Sequence, residues 1–235
     1  MSALAVDAAA FPGVWRGGEF EHAPRITLPT GHAALDRELP GGGWPTATLS
    51  EVLHDGAGIG EVKLLAGSLA RATKDERLIA WIDPPHLPYA PAIAQSGVPL
   101  ERCLVVRPLS HEDALWAAEQ ALRSGACGAV LFWPERQSRN VDYAWMRRLQ
   151  MAAESGRAMA VLFRSTAASS LPTPAHLRIV LASEDGRLML RIPKRRGPPL
   201  TQPVSLHAVD RPRTAVAPAP AGRARVRLAV AAGHR

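Results

Sequence analysis

Between Leu49 and Phe163 the apolar residues come in short runs, each bounded by turn or charged residues, and between these runs they recur at helical spacing. The runs Leu49–Leu53, Leu78–Ile82, Cys103–Val106, Ala129–Trp133 and Met159–Phe163 have the length of strands. The stretches Gly60–Ala72, Leu87–Ser96, His111–Arg123 and Val141–Ser155 have the period of helices. A shorter helix is predicted at Ala33–Leu39, followed by the glycine turn Gly41–Gly43. Strands separated by helices of this length predict a parallel sheet with right-handed crossovers. Because the strand runs are apolar throughout rather than alternating, the sheet is expected to be covered on both faces.

After Phe163 the period changes. Leu177–Ala182 and Leu188–Ile192, joined by Ser-Glu-Asp-Gly with Asp185-Gly186 at the turn, predict an antiparallel hairpin at the sheet's edge. Beyond Gly197 the sequence is rich in proline and arginine and favours polyproline or disorder. A last apolar run, Val226–Val230, can dock as a strand or bind a partner. The reading is therefore an arm at residues 1–26, one α/β domain at 27–197 and a flexible, partly disordered tail at 198–235.

The formal charge of +7 is unevenly placed. From Arg187 onward eleven Lys/Arg face one acid, a net +10, which leaves 17 basic against 20 acidic residues, a net −3, in the preceding part. A basic tail of this kind suits nucleic acid or an acidic protein face, with a merely solvated tail as the plainer alternative. Lys194, Arg195, Arg196, Arg211, Arg213, Arg223, Arg225 and Arg227 are the candidate contacts. Phe11, Val14 and Trp15 make the arm a candidate for subunit contact, since exposed aromatics call for cover. The helix at Val141–Ser155 mixes Tyr143, Trp145, Arg147 and Arg148 with apolar residues and reads mainly as an amphipathic helix packed on the sheet.

Cys103 and Cys127 lie in apolar surroundings without ligand spacing, which predicts a reduced core and no metal site. No apolar run approaches the roughly 20 residues of a membrane helix. The first residues also lack the basic lead of a signal peptide. A cytoplasmic protein with no membrane role is expected. No Gly-x-Ser-x-Gly elbow supports a hydrolase.

The stretch Leu49–Gly67 is laid out as a strand, a phosphate-binding loop and a helix. Gly56, Gly58 and Gly60 supply the turn, with His54 near the place of another loop glycine. A working loop then needs a lysine for the phosphate oxygens and a Ser or Thr for Mg²⁺. Here those positions hold Glu61 and Val62, and an anion in the lysine's place repels phosphate. No cofactor is expected. His54 and Asp55 have no converging partners in sequence that suggest proton transfer or metal binding.

The order of these features resembles the RecA recombinase family. The resemblance rests on Thr30-Gly31, Leu35-Asp36, Gly41–Gly43, Glu51-Val52-Leu53, the stretches Trp81–Pro108 and Ala114–Trp133, and Lys194-Arg195-Arg196-Gly197. It implies a RecA-like core with a mostly parallel sheet. It places the Walker B aspartate near Trp133 and the water-orienting glutamate near Pro85, which implies a pseudo-ATPase with no catalytic residues; only Asp83 is retained. The short segments Pro134–Asn140 and Arg164–His176 imply that the chain does not nucleate a DNA filament alone.

A closer similarity is to the ImuA family of RecA-like proteins encoded in bacterial translesion-synthesis operons. It rests on Val14–Gly17, Leu28–Pro45, Gly58–Glu61, Pro84–Pro91, Asp113–Trp133, Arg147–Gly156 and Lys194–Gly197. It implies an SOS-induced accessory factor that works with RecA, an ImuB-type Y-family polymerase homologue and an error-prone replicative-type polymerase. Two alternatives are a SulA-like cell-division inhibitor, which sequesters a tubulin-like division protein, and a weak nucleotide-binding ATPase using Lys63.

Overall fold

The computed structural model describes residues 26–56, 58–134, 141–197 and 200–207, and the backbone of 227–230. Two short strands, β1 (Thr27–Leu28) and β2 (Trp44–Pro45), pair antiparallel and flank helix α1 (Ala33–Glu38). The Thr30 N–H donates to Asp36 Oδ1 at 2.8 Å, so the aspartate inside α1 ties down the turn that leads into it.

The central elements follow in the expected alternation. They are β3 (Thr48–Leu53), α2 (Glu61–Ala72), β4 (Leu78–Ile82), α3 (Ala90–Gln95), β5 (Cys103–Arg107), α4 (His111–Arg123), β6 (Cys127–Phe132), α5 (Tyr143–Gly156) and β7 (Met159–Arg164). They continue as β8 (Leu177–Glu184), β9 (Arg187–Lys194), β10 (Val204–His207) and β11 (Arg227–Val230). Among the described residues these strands make a nine-stranded sheet in the order β10-β9-β8-β3-β7-β6-β4-β5-β11. All run parallel except β9, which is antiparallel to both neighbours.

The two faces of the sheet bury different cores, as the pleat requires. Val52, Ile79, Trp81, Leu131, Val161 and Phe163 join Leu64, Leu65 and Leu69 of α2 on one side. Leu49, Ala80, Ile82, Val130, Phe132 and Leu162 join Leu115, Leu122, Met146 and Leu149 of α4 and α5 on the other. Gly67 lets α2 approach residues 28–30 closely. A Cβ there would collide with the Thr30 carbonyl, while the next residue, Ser68, donates its hydroxyl toward the Leu28 and Pro29 carbonyls, both at 3.1 Å. Helix α5 is anchored by Gln150, whose Oε1 accepts from the Leu49 N–H at 2.8 Å and the Thr48 hydroxyl at 3.0 Å.

Three local differences from the sequence reading have physical causes. Helix α3 begins at Ala90 rather than Leu87, because Pro84, Pro85 and Pro88 favour extended backbone around them. Helix α5 begins at Tyr143, after Asp142, whose carboxylate accepts from the Trp145 N–H at 2.8 Å as an N-cap. The boundary at Gly197 is too early: Val204–His207 pairs with β9, and Val204 and Leu206 are buried in the α2-side core. The hairpin of β8 and β9 is therefore covered by β10 instead of forming the rim. The final apolar run docks as a strand, since β11 pairs parallel with β5.

A charged residue lies inside a strand that reads as apolar. Glu51 is fully buried and meets two arginines: Arg164 Nη1 on β7 at 3.0 Å, and Arg178 Nε and Nη2 on β8 at 2.8 Å and 2.7 Å. The carboxylate joins three adjacent parallel strands, β7, β3 and β8. Arg178 Nη1 also donates to the Ser169 and Leu171 carbonyls, both at 2.9 Å, and so orders the segment between β7 and β8. Removing one partner of such a cluster strands the other charges in the core. Glu51→Ala is expected to cost about 3–5 kcal/mol in urea unfolding, far more than the exposed Glu76→Ala, which loses only a surface pair with Arg102.

Candidate functional site

The loop between β3 and α2 lies at the carboxyl end of the parallel sheet, where ligand sites of open α/β folds form. His54 opens it, with its backbone N–H on the Arg164 carbonyl at 2.9 Å and Nδ1 2.7 Å from the Gly56 carbonyl, to which it donates. Its ring meets Phe163 edge-on at 6.0 Å. Asp55 turns away from the loop's interior: Oδ1 accepts from the Ser165 hydroxyl at 2.9 Å and the Thr166 N–H at 3.1 Å, and Oδ2 accepts from the Thr166 hydroxyl. The Thr166 hydroxyl and N–H, with the Ser165 hydroxyl, hold the Asp55 carboxyl below its ordinary value.

Gly56, Gly58 and Gly60 all have positive φ, and Gly60, at φ 106, is the left-handed residue immediately before α2. This backbone aims N–H groups inward. Their partner is part of the chain itself. Glu61 is buried, with Oε1 accepting from the Gly58 N–H at 3.2 Å and Oε2 from the Gly60 N–H at 3.1 Å. At the first position of α2, the carboxylate also lies where a helix dipole favours an anion. Val62 is half-buried against the α2-side core, and Lys63 is exposed. The loop thus has phosphate-loop geometry with an internal anion in its amides.

The neighbouring space is apolar. Trp81 of β4, Trp133 just beyond β6 and Phe163 of β7 form a ladder of nearly parallel rings, with centroids 6.0 Å and 4.3 Å apart and interplanar angles of 6° and 4°. Trp133 lies near the place where the RecA resemblance implies a metal-steering carboxylate. Asp83 is buried at the end of β4 and is not among the residues lining the adjoining cleft. That cleft, about 840 Å³, runs from Gly58, Gly60 and Glu61 between α2 and the Pro84–Tyr89 segment, with Trp81 and Trp133 along it. Leu87 and Tyr89 are exposed, at 60% and 72%. Among the described residues no group of three His, Cys, Asp or Glu gathers to hold a metal, and no helix is long and apolar enough to cross a membrane.

The loop residues predicted from sequence, His54, Gly56, Gly58, Gly60, Glu61 and Val62, fall together on this one turn. Lys194, Arg195 and Arg196 do not join them. Lys194 Nζ donates to the Thr173 carbonyl at 2.7 Å, and burial holds its amine below the ordinary lysine value. Arg195 Nη1 donates to the Glu38 carbonyl and lies 3.3 Å from Glu38 Oε2, tying the end of β9 to α1. Arg196 is half-buried just after β9. These contacts give Lys194 and Arg195 structural roles within the fold. Arg227 begins β11. Arg211, Arg213, Arg223, Arg225, Phe11, Val14 and Trp15 lie outside the described residues.

On α5, Met146, Leu149 and Gln150 are buried. Arg148 stacks 3.9 Å over Trp145 and meets Glu119 of α4 at 2.5 Å, so much of this helix's mixed chemistry is spent within the helical layer. Cys103 and Cys127 are both buried free thiols, and burial pushes Cys103 up to about 11. The Glu51 cluster went unnoticed in the sequence, although single charges within or at the end of the apolar runs around Glu51, Arg164 and Arg178 were its signal.

A nine-stranded, nearly all-parallel sheet with a glycine loop leading into α2 defines a RecA-like α/β core. The family model for the cell division inhibitor SulA matches residues 48–160. The cell division inhibitor SulA of Edwardsiella piscicida is 31% identical over 116 residues, 48% of this chain and 67% of that protein. RecA of Clavibacter michiganensis subsp. michiganensis is 32% identical over 118 residues, 50% of this chain and 32% of that protein. RecA 1 of Myxococcus xanthus is 30% identical over 115 residues, 49% of this chain and 33% of that protein. The matched stretch spans about a third of the length of these RecA relatives. The chain belongs to the SulA/RecA superfamily.

Two substitutions test the loop's construction. Glu61→Ala leaves two inward N–H groups without their acceptor and is expected to lower stability by about 1–3 kcal/mol in urea unfolding, with Glu61→Gln intermediate because its amide keeps one acceptor oxygen. Asp55→Asn is expected to destabilise at neutral pH, with the difference shrinking as pH falls below 3.8, the ordinary Asp value. The sign follows from linkage. A carboxyl whose folded value is depressed stabilises above its unfolded value and loses that contribution as acid protonates it.

Proposed function

We propose that this chain is a non-catalytic accessory protein of the bacterial SOS response, a pseudo-ATPase that uses a RecA-like body for protein contact. The observation that carries the reading is the Glu61 carboxylate on the Gly58 and Gly60 amides. A nucleotide phosphate would have to displace an anion covalently attached next to the loop, which competes at high effective concentration. Until displaced, that anion repels the phosphate. The Trp81-Trp133-Phe163 ladder adds apolar ring surface where Mg²⁺ would need oxygen ligands.

What remains at the carboxyl end of the sheet is the apolar cleft with Leu87 and Tyr89 at its rim, a surface of the composition proteins use to bind one another. In this reading the protein acts in the cytoplasm, at the nucleoid during DNA damage. It bridges RecA, an ImuB-type Y-family polymerase homologue and an error-prone replicative-type polymerase in translesion synthesis. The relatedness to RecA and the ImuA-type blocks from Val14 to Gly197 support it. Arg211, Arg213, Arg223 and Arg225 are the remaining candidates for DNA contact.

A second reading is a SulA-like inhibitor of cell division. The family model over residues 48–160 and the larger share of the Edwardsiella piscicida protein covered, 67% against about a third of each RecA, favour it. Affinity capture from DNA-damaged cells of the host, with and without ATP, separates the two. Recovery of RecA and the polymerase homologue regardless of ATP is the expected result. Capture of the division tubulin supports the second reading, and capture only with ATP would overturn the non-catalytic one.

A further inference from the structure

A row of charges crosses four adjacent strands on the face of the sheet that carries α5. Lys194 of β9 stands abreast of Arg178 of β8, and Arg178 stands abreast of Glu51 of β3. Arg164 of β7 lies two residues beyond Leu162, the position abreast of Glu51, and so points to the same face. Across the strands the signs run plus, plus, minus, plus. Lys194 is exposed at the outer end, whereas the side chains of Arg178, Glu51 and Arg164 are 5%, 0% and 0% exposed. The buried part of the row therefore holds two guanidinium groups and one carboxylate, an excess of one positive charge.

The two arginines are not served alike. Arg178 has Nε and Nη2 at 2.8 Å and 2.7 Å from Glu51 Oε2, and Nη1 on the Ser169 and Leu171 carbonyls. Arg164 has Nη1 on Glu51 Oε1 at 3.0 Å and 3.5 Å from the Met146 sulfur, while its Nε and Nη2 meet no acceptor among the described residues. The residue abreast of Arg164 on β3 is Leu53, which packs with Ala168 and Val180, so the neighbouring strand offers only an apolar group there. Buried donors without acceptors are rare, and an unbalanced buried charge is costlier still. A water molecule satisfies the donors and leaves the charge. A monovalent anion satisfies the donors and cancels the excess. At the outer end of the row the Lys194 amine is held below its ordinary value, first by burial and then by the Arg178 charge, as a positive field along the row requires.

We propose that this row binds one monovalent inorganic anion, chloride by abundance, on Arg164 Nε and Nη2. The ion accepts from both donors and balances the buried guanidinium pair against Glu51. The junction of β3, β7 and β8 is then a part of the fold whose stability depends on the anion. Lys194 at the exposed end favours the approach of a negative ion. The site lies on the opposite face of the sheet from α2 and uses none of the residues Gly58–Glu61. It is therefore independent of how the glycine loop and the cleft are read.

The first test uses the full native chain crystallised with sodium bromide in place of chloride, with anomalous diffraction recorded at the bromine edge. A bromide peak within hydrogen-bonding distance of both Arg164 Nε and Nη2 is expected. A map with no anomalous peak there, or with a water bridging the donors, overturns the proposal. The second test is urea unfolding of the same chain in sodium chloride and in sodium sulfate at matched ionic strength. Chloride is expected to raise the folded-to-unfolded ratio along a binding curve, about tenfold at ten times its dissociation constant, and sulfate to show no such curve. Equal responses to the two salts mean screening alone and overturn the proposal. A bromide peak without the chloride curve marks an adventitious ion only and also overturns it. Arg164→Met leaves Arg178 and Glu51 as a balanced pair and is expected to lose the chloride curve. The same curve in the folded variant overturns the proposal, and if the variant does not fold, the two measurements on the native chain decide.

Discussion

One buried carboxylate organises the half of the sheet on which the candidate site rests. Glu51 has no access to water and faces Arg164 and Arg178 from the two neighbouring strands, so β3, β7 and β8 are held in register by charge as well as by backbone bonds. Two guanidinium groups against one carboxylate leave an excess positive charge inside the protein, which is tolerated because Arg178 also donates to the Ser169 and Leu171 carbonyls. Those bonds order the segment after β7, and Asp55 grips the beginning of the same segment through Ser165 and Thr166. The loop before α2 is thus anchored on one side by an ion cluster below it and on the other by the β7–β8 connection.

On that base, the loop keeps a shape suited to binding an anion and satisfies it from within. Glycines with positive φ turn the Gly58 and Gly60 amides inward, and Glu61 supplies the negative charge. This arrangement preserves the backbone of a phosphate loop without a phosphate. It also fixes the start of α2, whose Gly67 and Ser68 lock onto residues 28–30. An external anion would then be a competitor of the fold, while the apolar cleft beside it stays open to other chemistry. The same economy appears at Lys194 and Arg195, whose donors go to the Thr173 and Glu38 carbonyls.

Much of the core was legible from pattern. The five central strands stand within one to two residues of the apolar runs, because a strand buried on both faces must be apolar at every position. Glu51 escaped that logic, since the burial of one carboxylate depends on two arginines more than 100 residues away. Helix α3 is shorter than its periodicity suggests because prolines outweigh spacing. Strand β10 was hidden in a proline-rich tail, as its four residues gain their ladder only from β9.

The sequence by itself determined the alternation of strands and helices, the glycine turn, and the replacement of the lysine and hydroxyl positions by Glu61 and Val62, because these depend on residue type and local spacing. Tertiary structure alone decided where the Glu61 carboxylate goes, which arginines are consumed within the fold, that two tryptophans and Phe163 stack across three strands, and that the last strand closes the edge farthest from β10. Each of these needs partners distant in the chain, brought together only when the sheet order is set, and no local pattern encodes that order.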